Sequence, residues 1–305
     1  MEDTHITIPN LADDVAFFGV FDGHGGILAS LIPLGQQVAV YAKKYLPDMI
    51  KFCAAFKAKN YKQALIDTFL AFDKRLESDE GRKEFVAANK AEKGKSPVKH
   101  ERSDSCLESA NFVGCTACVA LITKTEIIVA NSGDSRCVLA KNGIAINMSV
   151  DHKPDMEKEK RRIEKANGFV EENRVNGALN LSRSLGDLDF KKNKKLKQEE
   201  QMITALPDVL IEKISNDTDF LILACDGIWD CMSSQNAVDY MQEQVVKAKH
   251  TKDGRFKISK VIESMLDKIL AKGVESSGIV AFIIFVAGLG CDNMTCMVIE
   301  LIKHK

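Results

Sequence analysis

The 305-residue sequence lacks an excess of either charge. Lys and Arg number 42 against 43 Asp and Glu, a formal net charge of −1, so no global field draws the chain to nucleic acid or to an anionic membrane surface. It lacks a long apolar run. The longest, GIVAFIIFVAGLG at 278–290, is shorter than the roughly 20 residues a membrane-spanning helix needs. It lacks a cysteine framework: nine cysteines are scattered without regular spacing, which predicts free thiols in a reducing compartment. It lacks a secretory pattern, since MEDTHITIPN is polar from the first residues, and it lacks internal repeats. These absences predict a cytoplasmic protein, with the nucleus as the alternative, that binds no nucleic acid and spans no membrane; a monomer is the default expectation, with no sequence feature behind it. What is present, 45% hydrophobic and 28% charged residues, suffices for one large globular domain or two modest ones with an unstapled core.

Hydrophobic periodicity divides the chain. DVAFFGVF (14–21) reads as a strand, and 36–59 and 61–78 carry helical spacing. Residues 79–109 are polar and contain Pro97, which predicts a surface excursion or a solvated helix with a loop. GCTACVALIT, EIIVANSG and SRCVLAK are β-like runs joined by turn-like links. Residues 154–167 read as a helix, with proline at the start and Asn167-Gly168 at the close. ITALPDVLIEKI and DFLILACD are further strands, helices follow to about 249 and over 256–272, and MTCMVIELI is the last strand. Strands joined by tight turns, with helices in blocks, predict an antiparallel α+β layout rather than a doubly wound sheet.

The stretch FFGVFDGHGG (17–26) poses the functional question. A run such as FFGVF belongs in a core, and a carboxylate at its tip is costly unless paired, hydrogen-bonded or bound to a metal. The same pattern recurs: IIVANSG ends in Asp134, FLILAC ends in Asp226, Asp292 stands just before the last strand, and Glu2 and Asp3 open the first. Any one of these reads most simply as a turn residue. Together they can converge at one sheet edge, where like charges demand a cation or shifted pKa values. An all-oxygen set suits Mg²⁺ or Mn²⁺ rather than zinc. Two such ions roughly 3.5–4 Å apart form the usual clamp for phosphoryl hydrolysis.

Glu2-Asp3-Thr4-His5, FDGHGG, GCTA, ANSGDSR, DHKP, RVNGALNLSRSLGD, LACDGIWD and GCDNMT occur in this order, and the set resembles the metal-dependent serine/threonine protein phosphatases of type 2C over nearly the whole chain. The resemblance implies a four-layer α-β-β-α sandwich of two antiparallel sheets flanked by helices. It implies hydrolysis of phosphoserine and phosphothreonine in phosphoprotein substrates, as part of signalling, by a metal-activated water and without a covalent intermediate. It also implies two Mn²⁺ or Mg²⁺ ions and a weaker third. Asp22 would bridge the two, Asp226 and Asp292 would complete one site, and Glu2 with the Gly23 carbonyl would serve the other. Asp3 would stand in the outer shell, and Asp134 with Asp226 would hold the third ion. His24 would be the general acid. Arg183 and Arg174 would lie on the substrate side.

Other features have plainer readings. Cys115 and Cys118 point to opposite faces of a strand and cannot share a metal. His152 is expected to be a structural hydrogen-bonder, KKNKKLK (191–197) a solvated loop, Trp229 a core residue beneath the Asp226 turn, and the charged helix around 155–165 a solvated outer face. The chain departs from the family at three places. It reads as a single catalytic domain, 1–305, without the family's first N-terminal strand and the phosphate-gripping arginine just upstream. Apolar inserts stand at 27–35 and 278–288, as gene-model products or as a partner-docking surface. These departures leave a second reading, a catalytically impaired relative that binds phosphoproteins or partners.

Overall fold

In the computed structural model, which describes residues 2–25, 35–92, 111, 113–249, 258–270 and 292–301, the alternating apolar strands form two main antiparallel sheets. The first has the order β1 (Thr4–Ala12), β2 (Val15–Phe21), β5 (Ala117–Ile122), β6 (Glu126–Ser132), β12 (Asp208–Lys213). The second has the order β14 (Cys296–Glu300), β13 (Thr218–Ala224), β7 (Arg136–Lys141), β8 (Ile144–Asn147). The period of two decides the layers. Val119, Leu121, Ile128 and Ala130 face a helical layer. Their neighbours Cys118, Ala120, Ile127 and Val129 face Cys137, Leu139, Leu221 and Leu223 of the second sheet. The opposite face of that sheet, Val138, Ala140, Ile222 and Ala224, lies under the other helices. The result is the antiparallel α+β layout that the pattern predicted, in the four-layer sandwich that the resemblance implied.

On the first sheet lie α1 (Gln36–Phe52), α2 (Ala54–Lys57), α3 (Tyr61–Glu77) and α4 (Asp79–Glu92). The predicted helix over 36–59 breaks at Cys53, whose backbone turns extended (φ −68°, ψ 152°) and whose Sγ accepts from Phe56 N at 3.3 Å. Asn60 caps α3 by accepting from Gln63 N, a contact worth about 1 kcal/mol. The polar stretch after 78 is a helix in its first part, and it is not merely solvated: Phe85 and Ala88 are buried against the core. After β7 and β8 comes α5 (Glu157–Lys165), shorter than predicted. It packs with the ribbon of β9 (Val170–Glu171) and β10 (Arg174–Val175) on a small core of Ile163, Val175 and Ile203. The far helical layer holds α6 (Asp226–Trp229), α7 (Ser234–Lys249) and α8 (Ile258–Ile269). Among the described residues no helix is long and apolar enough to cross a membrane. The apolar insert at 278–288, and all of 27–35 except Gly35, lie outside the described residues.

The predicted strand GCTACVALIT is interrupted at Thr116. Its first part, β4 (Val113–Cys115), leaves the main sheet and joins β3 (Gly23–Gly25) and β11 (Leu185–Gly186) in a three-stranded sheet. Thr116 is the hinge: its N–H donates to the Asp22 carbonyl at 2.8 Å, and its hydroxyl accepts from Asp22 N at 3.1 Å. This small sheet carries the DGHG segment away from the core strand that precedes it.

Candidate functional site

The acids of the strand ends do gather. Asp22 follows β2, Asp3 precedes β1, Asp134 lies in the turn between β6 and β7, Asp226 follows β13, and Asp292 precedes β14. The Asp–Gly pairs explain the meeting. A side chain at Gly227 would come within 2.2 Å of the Asn293 carbonyl, so its absence lets the Asp226 turn press against the segment bearing Asp292. A side chain at Gly23 would come within 2.7 Å of the Glu2 carbonyl and 2.3 Å of that of Gly35, so Glu2, Gly23 and the start of α1 are in close contact. The Glu2 carboxylate lies against Gly35, where a side chain would come within 2.8 Å of Glu2 Oε1.

The electrostatics are those of a cluster in need of cations. Burial, together with the charges of Asp3, Asp226 and Asp134, pushes Asp22 up to about 11. Burial and Asp134 push Asp226 up to about 7, and burial raises Glu2. Among the described residues, both Asp3 carboxylate oxygens and Asp226 Oδ1 are buried without a hydrogen-bond partner, an expensive state for such groups. Ligand atoms of Asp3, Asp22 and Cys225 lie within 4.8 Å of one another. Cys225 is the member that sequence reasoning missed. Its sulfur accepts from Thr295 N at 3.1 Å and donates to the Asn293 carbonyl at 3.3 Å, and burial raises the thiol, so it remains S–H and ties β13 to β14. The carboxylates left over are hard oxygen donors, which fit Mg²⁺ or Mn²⁺. Asp134 is 2% exposed and pairs with Lys153 of the DHKP motif.

His24 stands on β3, beside this cluster. Its Nε2 lies 2.7 Å from Asp187 Oδ2. Burial works against the protonated ring, but the charge and hydrogen bond of Asp187 outweigh it, and the His24 pKa is raised. Asp187 is lowered in turn, because His24 and Ser184 outweigh its own burial. Asp187 was visible in SRSLGD but had no role assigned, and no local pattern ties it to His24.

The two arginines differ. Arg183 does not face a substrate: it is 1% exposed and every nitrogen of its fork is hydrogen-bonded within the protein. It donates to Glu159 Oε1 at 2.6 Å from Nη2 and to Asp208 Oδ1 at 3.0 Å from Nη1. Glu159, also 1% exposed, bonds Arg162, which in turn holds the carbonyl of Gln201. The helix α5 is therefore not a simple solvated face; Glu159 is the buried anchor of a network between the helix, the segment after 180 and β12. Arg174 is exposed, with Nη1 on the Ala178 carbonyl. His152 is buried as a structural bonder of Gly133 and Asp208. Trp229 packs under the Asp226 turn with Nε1 on the Ala224 carbonyl at 2.8 Å. The run 191–197 is not wholly solvated, since Lys191 is buried against Asp73 at 2.7 Å.

Fold and site together define an α-β-β-α sandwich with a cluster of buried carboxylates at one end of its strands. Comparison with known proteins narrows the class. The family described as Protein phosphatase 2C matches residues 1–278, and the chain belongs to that family. It is 38% identical over 323 residues to the Probable protein phosphatase 2C 11 of Oryza sativa subsp. japonica, covering 99% of this chain and 82% of that protein. It is 39% identical over 300 residues to the Probable protein phosphatase 2C 6 of Paramecium tetraurelia, covering 98% and 88%. A solved structure of serine-threonine phosphatase 2C from Toxoplasma gondii shares the fold, with a TM-score of 0.66 at 22% identity over 98% of this chain and 90% of that one.

Proposed function

We propose that the chain is a single catalytic domain that hydrolyses phosphoserine and phosphothreonine in proteins, acting as a cytoplasmic monomer in signalling and requiring two Mn²⁺ or Mg²⁺ ions with a weaker third. The observation that carries this reading is the cluster of Asp3, Asp22 and Asp226, with buried oxygens lacking partners and Asp22 raised to about 11, set beside His24. A buried acid that keeps its proton at neutral pH surrenders it readily to a divalent cation. Asp22 would hold both ions, Asp226 and Asp292 one, and Glu2 with the Gly23 carbonyl the other. Asp3 would steady them from the outer shell, and Asp134 with Asp226 would take the third once Lys153 yields. When bound, the ions supply Lewis acidity toward phosphoryl oxygens and acidify water. His24 carries the proton that the leaving seryl or threonyl oxygen needs, because an alkoxide is a poor leaving group until protonated. Asp187 accepts from the ring and keeps it in place, and Thr116 fixes the Asp22 backbone from both sides. Arg174 stands exposed on the ribbon, where a substrate peptide could meet it.

Phosphate release from a phosphothreonyl peptide tests the proposal. It should require Mn²⁺ or Mg²⁺ and stop in excess chelator; full turnover in chelator would overturn the metal-dependent reading.

A further inference from the structure

The least expected construction beside the site is the mount of His24. Asp187 has a left-handed backbone (φ 48°, ψ 42°), a conformation that aspartate tolerates better than most residues with a Cβ. Five hydrogen bonds hold the turn in place. Asp187 N donates to the Val113 carbonyl at 2.9 Å. Gly186 N donates to Asp73 Oδ1 on α3 at 2.9 Å. Lys191 Nζ bridges Asp73 Oδ2 and the Ser184 carbonyl, each at 2.7 Å. Ser184 Oγ donates to Asp187 Oδ2 at 2.5 Å, the same oxygen that meets His24 Nε2 at 2.7 Å. The space is cut to fit: a side chain at Gly114 would come within 2.2 Å of Asp187 Oδ2 and 2.7 Å of His24 Nε2.

From this arrangement we infer that Asp187 is a positioning residue for the reaction: through its single oxygen Oδ2 it accepts from Nε2–H and fixes the ring plane of His24, on a turn that the Asp73–Lys191 pair clamps to α3. The inference rests on the proposed role of His24 as proton donor. A ring held by one acceptor keeps its other nitrogen on a fixed bearing, and misplacement of a reacting group by about 1 Å can cost roughly a hundredfold in rate. Lys191, for all its place in a basic run, serves this mount rather than a substrate.

Two measurements on the full chain test it. In Mg²⁺-loaded protein with ¹⁵N-labelled histidine, the His24 ring should carry a proton on Nε2 that exchanges slowly, and Asp187→Ala should abolish that protection. A wild-type ring protonated on Nδ1 alone, or an unchanged signal in the variant, would overturn the assignment, whether or not the protein turns over. In kinetics, Asp187→Ala should lower kcat on a phosphothreonyl peptide by about 100-fold, the scale of lost general acid catalysis. KM should change little, and p-nitrophenyl phosphate, whose leaving group needs no proton, should be cleaved nearly as before. Asp187→Asn keeps an acceptor oxygen and should retain activity within a few-fold, which answers the case in which the alanine variant does not fold; an asparagine variant as slow as His24→Ala would overturn the acceptor role. The double variant His24→Ala/Asp187→Ala should be no slower than His24→Ala, since residues acting as a unit are not additive. A full additional loss there, or an equal loss on both substrates, would make Asp187 a merely structural residue. Absence of any metal-dependent turnover in the wild type would instead count against the proposed function, and the histidine signal would still decide the mount.

Discussion

At the scale of single residues the strongest contrast is between two aspartates at strand ends. Asp22 is raised to about 11 by burial and by three neighbouring carboxylates. Asp134 has Lys153. Asp22→Asn should therefore abolish turnover, whereas Asp134→Asn should reduce it less, in side-by-side assays with Mn²⁺ from micromolar to millimolar; equal residual activities would argue against the different roles. Gly114 offers a second test, of space rather than charge. Gly114→Ala places a Cβ at 2.2 Å from Asp187 Oδ2, well inside van der Waals contact, so the aspartate or His24 must move. Turnover of the phosphothreonyl peptide should fall more than turnover of p-nitrophenyl phosphate; equal effects would place the strain elsewhere.

At the scale of elements, α5 is held to the sandwich by ions rather than by a broad apolar face. Burial would raise Glu159, but the bonds and charges of Arg183 and Arg162 outweigh it and lower the group from 4.5 to about 2. A carboxylate depressed in the folded state contributes stability above its unfolded pKa and loses it as pH falls toward the folded one. The window here runs from about pH 5 down to about pH 2, and the full contribution is roughly 3 kcal/mol. Glu159→Gln should thus be destabilised at pH 7 in urea unfolding by about 3 kcal/mol, with Arg162 left without its carboxylate and Arg183 left to Asp208 alone. The gap from wild type should shrink steadily as pH falls from about 5 to 3; a gap independent of pH would show that Glu159 acts through shape alone.

At the scale of the whole molecule, the proposed ions would couple stability to cation concentration. With Asp22 at about 11 and Asp226 at about 7, the cation-free protein carries protons among its acids at neutral pH. Mn²⁺ must displace them, so binding should release protons, more at pH 6, where Asp226 is still protonated, than at pH 8, where it is not. Titration calorimetry in buffers of different ionisation enthalpy measures that release; binding without it would contradict the buried-acid picture. An ion that binds only the folded chain stabilises it, so under the proposed function Tm should rise with Mn²⁺ concentration and return on adding chelator.

The sequence by itself determined the alternation along the strands and which acids stand at their ends. Strand alternation such as Cys118-Val119-Ala120-Leu121 assigns each residue to one of two buried faces, and acids placed at strand ends must emerge at a sheet edge, with glycines marking where another chain segment presses close. Only the tertiary structure decided which side chains became partners. His24 and Asp187 lie 163 residues apart, and Gly186 and Asp73 lie 113 apart. Periodicity reports which way a residue points, not what waits there. For the same reason Arg183 read as a substrate-facing arginine, although Glu159 and Asp208 enclose it, and Lys191 read as one lysine of a solvated run, although Asp73 buries it. A charge looks the same in the sequence whether water or a buried counter-charge surrounds it, and only the folded chain supplies one or the other.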